Sequence, residues 1–131
     1  MRNSDQSQNK SNINVKVIPE YLAKQSEPEN DRYAFAYHIT ITNNSDQDVV
    51  LLHRHWIIVD ANQQRQEVKG AGVIGQQPLI PKDTNYQYSS GVILKTAVGT
   101  MQGSYQMEDE QGLPLEATIA PFLLAKPNAV H

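Results

Sequence analysis

"RYAFAYHITITNN", residues 32–44, carries the longest strict alternation in the chain. Tyr33, Phe35, Tyr37, Ile39 and Ile41 fall on one side of an extended backbone; Ala34, Ala36, His38, Thr40 and Thr42 fall on the other. A period of two sustained this long predicts a β-strand with one packed face. The turn formers "NNSDQD" (43–48) then reverse the chain.

Working outward, "VVLLHRHWIIVD" (49–60) is rich in β-branched and aromatic residues. It reads as a strand buried on both faces for part of its length. Upstream, Ile13, Val15 and Val17 alternate with Asn14 and Lys16, a strand running towards Leu22, followed by the polar loop "SEPEND" (26–31). Downstream, "DANQQ" (60–64) is a turn, and Arg65 to Val68 form a short strand before a glycine-rich loop. Pro78 and Pro81 then keep the chain irregular. "TNYQYSSGVILK" (84–95) and "VGTMQGSYQMED" (98–109) read as strands, each carrying glycine, the mark of a bulge or bend. A hairpin turn at "EDEQG" (108–112) leads into "LEATIAPFLLAKP" (115–127), one or two strands interrupted by Pro121. No stretch carries a sustained helical period.

About seven short strands separated by polar turns predict an all-β fold, an antiparallel β-sandwich of immunoglobulin-like build. Trp56, the single tryptophan, suits the core of its third strand. The 131 residues allow one domain, placed at 12–131 after a flexible polar tail at 1–11. With no cysteine there is no disulfide, thiolate metal site or thiol nucleophile. A net charge of −3 gives no general field for nucleic acid or an anionic membrane. The polar start "MRNSDQSQNKS" carries no apolar signal segment, and no apolar run approaches the ~20 residues of a membrane span, so a cytoplasmic location is expected.

Gly70-Ala71-Gly72-Val73-Ile74-Gly75 matches the spacing G-x-G-x-x-G. In dinucleotide-binding folds these glycines lead from a strand into a helix whose N-terminus holds the pyrophosphate. Here Pro78 and Pro81 stand where the helix would run, each costing about 3 kcal/mol in a helix interior. Near Lys95, about 20 residues on, no acid is available for a ribose. The dinucleotide reading fails on context, and no cofactor is expected. Two readings stay open. The glycines supply positive φ to a loop between sheets. Alternatively Gly70, Gly72 and Gly75 form a nest of backbone N–H groups for phosphate or pyrophosphate, with charge from Lys69 or Lys82. The apolar pair Val73 and Ile74 either packs inward or meets a partner.

His53 and His55, two apart on a strand, face the same way about 6.6 Å apart and could share a divalent metal, with His38 on the adjacent strand as a third ligand; His131 is the final residue. The alternative is a packing role. The acids of 27–31 and 108–110 lack the spacing of a calcium loop, and no serine sits in a nucleophile elbow, so no catalytic residue is identified and no enzyme activity is expected. Arg54 lies between Leu52 and Trp56. A charge there is costly unless paired, so it either faces a functional surface or pairs inside with a carboxylate or a carbonyl of the glycine segment.

The blocks "RYAFAYHITITNNS", "LLHRHWIIVD", "VKGAGVIGQQPLIP", "YQYSSG", "GTMQGSYQM" and "PFLLAKPNAVH", in this order and spacing from Ile13 to His131, closely resemble the bacterial ApaG family. The resemblance implies a fibronectin type III-like fold. It implies relatives appended to an F-box protein and to a partner of DNA polymerase delta, where the domain looks like an interaction module. It also implies an indirect genetic link to cobalt and magnesium tolerance, beside a diadenosine tetraphosphatase gene. The expected function is a non-enzymatic binding module for an unidentified protein partner. Anion binding at residues 70–75 and metal binding at His53 and His55 are the alternatives. Edge strands also allow pairing between copies into a homodimer.

Overall fold

The computed structural model describes residues 12–129; the expected tail at 1–11 and His131 lie outside them. The chain forms two antiparallel sheets packed face to face. Strands β1 (Ile13–Tyr21), β2 (Tyr33–Asn43) and β6 (Asn85–Leu94) make one sheet, in the order β1-β2-β6. Strands β3 (Val49–Asp60), β4 (Arg65–Ala71), β7 (Val98–Asp109) and β8 (Pro114–Ala125) make the other, in the order β4-β3-β7-β8. A two-residue strand, β5 (Leu79–Ile80), pairs with the start of β3. The fourth strand thus joins β3 instead of the β1-β2-β6 sheet, giving the three-on-four arrangement of a fibronectin type III domain. No helix among the described residues is long and apolar enough to cross a membrane; two single 3₁₀ turns span Ala23–Gln25 and Pro28–Asn30.

The alternation of β2 is realised as expected: Phe35, Tyr37, Ile39 and Ile41 are buried between the sheets, with His38 on the outer side. Trp56 is 2% exposed, in the core with Tyr105, Leu51 and Leu124. Asparagine and aspartate side chains make the turns. Asn43 is fully buried; its Nδ2 donates to the carbonyls of Gln47 and Ile80, while its Oδ1 accepts from the Ser45 N–H. Asp60 Oδ1 accepts from the N–H groups of Asn62 and Gln64, and Asp109 Oδ1 accepts from those of Gln111 and Leu113.

Four local expectations need correction. Strand β3 is not buried on both faces. The register against β7 shifts between Leu51 and His53, so Leu52 is an extra residue and the buried face changes from Val49 and Leu51 to Trp56 and Ile58. Strand β4 does not stop at Val68; its pairing with β3 runs on through Lys69, Gly70 and Ala71. Residues between the two prolines are not wholly irregular, since Leu79 and Ile80 form β5. Gly91 marks no bulge, because β6 pairs with β2 in unbroken register. The expected irregularity is present in β7, between Met101 and Gly103, opposite Ile119 and Phe122. There Pro121, which has no N–H to give, sits within one continuous β8 on a sheet edge.

The sandwich is not equally closed on its two sides. On one side β1 lies against β8. On the other, the edge strands β4 and β6 are unpaired among the described residues and an open cleft of about 620 Å³ separates them.

Candidate functional site

The site begins with the bulge. Had β3 kept one frame from Leu51, Arg54 would share the outward face. The extra residue Leu52 turns Arg54 inward, into line with Trp56 and Ile58 and directly across from Tyr105 on β7. The bulge also anchors the glycine segment: the Leu52 carbonyl accepts from the Gly72 N–H at 2.8 Å and from Gln77 Nε2 at 2.9 Å.

That segment presents carbonyls, not amides, to the interior. Arg54 Nη1 donates to the Ala71 carbonyl at 3.2 Å and to the Gly72 carbonyl at 3.0 Å. Gly70, the cross-strand partner of Arg54, leaves space for the guanidinium; a Cβ on it would lie 2.8 Å from Nη1. The N–H groups of Gly72 and Val73 are already given to the carbonyls of Leu52 and Gln76. Val73 and Gln76 bracket a tight turn in which Ile74 (φ 48°) and Gly75 (φ 73°) both take left-handed backbone, the signature of a type I′ hairpin. For a β-branched residue such as Ile74 this conformation is strained, and its side chain is 59% exposed. Lys69, expected to add charge to a phosphate nest, stands near Glu67 at 3.9 Å and projects into solvent.

Around Arg54 the interior holds an excess of donors. From β6, Tyr88 and Ser90 face inward, paired in register with the buried Ile39 and Tyr37. The Tyr88 and Tyr105 hydroxyls lie 2.5 Å apart. Burial pushes both phenols well above the usual tyrosine range, so both stay protonated at neutral pH. Trp56 stacks edge-on against Tyr37, Tyr105 and Phe122, at ring distances of 5.3, 6.3 and 6.0 Å. Its Nε1 is buried and has no hydrogen-bond partner among the described residues. Among the described residues no carboxylate pairs with Arg54; the ion pairs there are His38–Glu20, His55–Glu67 and Lys69–Glu67.

Arg54, Trp56, Tyr37 and Ser90 line both the wide cleft and a smaller inner chamber of about 190 Å³, which reaches Tyr88 and the turn at Val73–Gly75. The wide cleft is walled chiefly by apolar residues, among them Phe35, Ile58, Val68, Val92 and Met101. Thus Arg54 pairs inside with carbonyls of the glycine segment, one of the alternatives its sequence position allowed, and Gly70 and Gly72 serve it directly. The residues that sequence reasoning missed are Tyr37, Tyr88, Ser90 and Tyr105. The alternation in "YQYSSG" carried the signal for Tyr88 and Ser90, but nothing local indicated that they would meet Arg54.

The histidines lie elsewhere. His53 and His55 are on the outward face of β3, where His55 Nε2 meets Glu67 Oε2 at 2.5 Å. That contact holds the Glu67 carboxyl below its ordinary value, helped by Lys69. His38 does not join them as a third ligand: it belongs to the other sheet and bonds Glu20 and Ser89 on the opposite outer surface. Among the described residues no group of three or more His, Asp or Glu could hold a metal ion.

These features sit in a chain whose relatives are plain. The family model for the ApaG domain matches residues 23–109. The chain belongs to the ApaG family. It is similar to a Protein ApaG from Pseudomonas entomophila, 56% identical over 119 residues that cover 91% of this chain and 94% of that protein. A Protein ApaG from Dechloromonas aromatica is 51% identical over 123 residues, covering 94% and 97%. Among solved structures, an X-ray structure of a structural-genomics target superposes with a TM-score of 0.88 at 48% identity, covering 93% of this chain and 92% of that one. A crystal structure described as an ApaA protein from Bordetella pertussis gives 0.87 at 44% identity, covering 89% and 95%. The sandwich described above is therefore the ApaG fold.

Proposed function

We propose that this ApaG-family chain is a non-catalytic binding module that receives an extended segment of a partner protein at its open side. The observation that carries the reading is the pair of unpaired edge strands, β4 and β6, facing each other across an apolar cleft. Edge strands offer rows of free backbone N–H and C=O groups that an added strand satisfies, while a flanking groove selects its side chains. Ile93, on β6 at the cleft wall, is 47% exposed. The expected site is the cytoplasm. Any role in cobalt or magnesium tolerance, suggested by the resemblance alone, acts through the partner.

Peptide display on the purified chain, counter-selected on Ile93→Asp, tests the reading. Enriched peptides should shift the backbone amides of 65–71 and 85–94. Shifts confined to β1 and β8, or no enrichment, would defeat it. Self-association that saturates the same amides would make the occupant a second copy of the chain.

A further inference from the structure

We infer that Arg54, Trp56 and the Tyr88–Tyr105 hydroxyl pair form a receptor for a carboxylate at the inner end of the cleft. The inference rests on the cleft being a ligand site, not on the ligand being a protein.

The first argument is charge. Arg54 is turned inward by the bulge and meets no carboxylate among the described residues. Two carbonyls take Nη1, and among the described residues neither Nη2 nor Nε donates to the protein. A guanidinium half-satisfied by carbonyls, at the end of a cleft with mainly apolar walls, favours an anion on its free edge.

The second is the count of donors. Trp56 Nε1 can only donate, and it is buried without an acceptor. The two phenols share one hydrogen bond between them, which leaves one hydroxyl proton over. Tyr105 is fully buried and Tyr88 lines the chamber. With Tyr105 donating to Tyr88, the Tyr88 hydroxyl is free to donate into the chamber, strengthened by the bond it accepts. Ser90 adds another hydroxyl to the same wall. A ligand group that only accepts matches this set.

The third is valence and shape. Among the described residues Arg54 is the only cation lining the inner chamber; Arg32 lines the wide part alone. One planar fork neutralises one planar monoanion, whereas a phosphate dianion would keep an unmatched charge. The apolar cleft beyond is suited to a hydrocarbon body attached to that head. Such a carboxylate could belong to a small organic acid or to a protein segment, as its terminus or as an acidic side chain.

Trp56 is the single tryptophan, so its emission reports the site. The native chain is titrated at neutral pH with hexanoate, hexanol, hexylamine and hexyl phosphate. The expected result is a saturable emission change with hexanoate, at least about tenfold weaker with hexanol, and absent with hexylamine. Arg54→Lys, which keeps the charge but loses the fork, should weaken hexanoate about tenfold. Tyr88→Phe, which keeps the ring, should weaken it several-fold, and its unchanged unfolding midpoint would separate lost binding from lost folding. Equal binding of hexanol and hexanoate would overturn the carboxylate receptor and leave the cleft standing. Tighter binding of hexyl phosphate would replace carboxylate by phosphate. No response to any of the four would overturn the receptor, while the peptide selection judges the extended-segment reading separately. Finally, peptides with a free C-terminus, an amidated C-terminus or an internal glutamate tell a terminal carboxylate from a side chain. Failure of all three beside hexanoate binding assigns the site to a small acid.

Discussion

At the scale of single residues, the glycine segment shows how one motif serves two ends. Gly72 has φ 62°, and a Cβ there would lie 1.9 Å from the Gln76 carbonyl oxygen. Gly75 has a similar φ but open space around it. Gly72→Ala should therefore cost about 2–4 kcal/mol of stability and Gly75→Ala only about 1 kcal/mol, read from urea unfolding midpoints. Glu67 supplies a second test. Its carboxyl titrates below the ordinary value of 4.5, chiefly through the bond to His55. The linked stability is present above the unfolded-state value and is lost as pH falls through the depressed folded value. His55→Ala should move the Glu67 titration, followed by side-chain carbon NMR, back up towards 4.5. The phenols of Tyr88 and Tyr105 obey the opposite sign, since burial raises them. Their contribution holds below the ordinary tyrosine value of about 10 and declines above it. Ultraviolet difference spectra should show both unionised until alkaline unfolding.

At the scale of elements, what could be read from the sequence follows from periodicity. Tyr33 to Ile41 alternate without interruption, so both β2 and its buried side are legible in the sequence. In β3 the pattern "VVLLHRHWIIVD" has apolar residues in both frames. A bulge and a doubly buried strand write the same letters, and only pairing with β7 tells them apart. Pro121 was misleading for a related reason: it interrupts a pattern but not a strand when the extra residues of a register shift absorb it. Gly70 looked like loop because its neighbours do, yet it completes β4 where Arg54 needs room. The candidate site was legible only in part. Arg54 and Trp56 stood out as a charge beside an aromatic in an apolar strand. Tyr88 and Tyr105 reach them from strands 30 or more residues away, a proximity no local pattern encodes. Deleting Leu52 should restore one frame to β3 with Arg54 still opposite Tyr105, since Leu51, His53 and Arg54 then pair with Met107, Gln106 and Tyr105 without a break. The lost Leu52 carbonyl releases the Gly72 N–H and Gln77 Nε2, so the expected outcome is retained amide dispersion with shifts concentrated at residues 70–77 in proton–nitrogen NMR spectra.

At the scale of the whole molecule, one core spans both sheets, from Ile13 near the start of the described chain to Leu124 near its end. Such a core should unfold in one step. Trp56 emission and far-ultraviolet circular dichroism should give the same denaturation midpoint. Distinct midpoints would mean that the cleft side loosens before the β1–β8 side.

The single extra residue at Leu52 has a consequence for engineering. The extra residue is absorbed where it stands: Leu51 stays opposite Met107 and Arg54 opposite Tyr105, so the side chains before and after it share one inward side. Inserting one residue as a bulge into a regular strand of another sandwich would likewise leave an inward arginine in place while adding a backbone carbonyl for a neighbouring loop, as Leu52 does for Gly72 and Gln77. Family members that lose this residue would keep the arginine on the same side of the sheet and lose only the carbonyl that anchors the glycine segment.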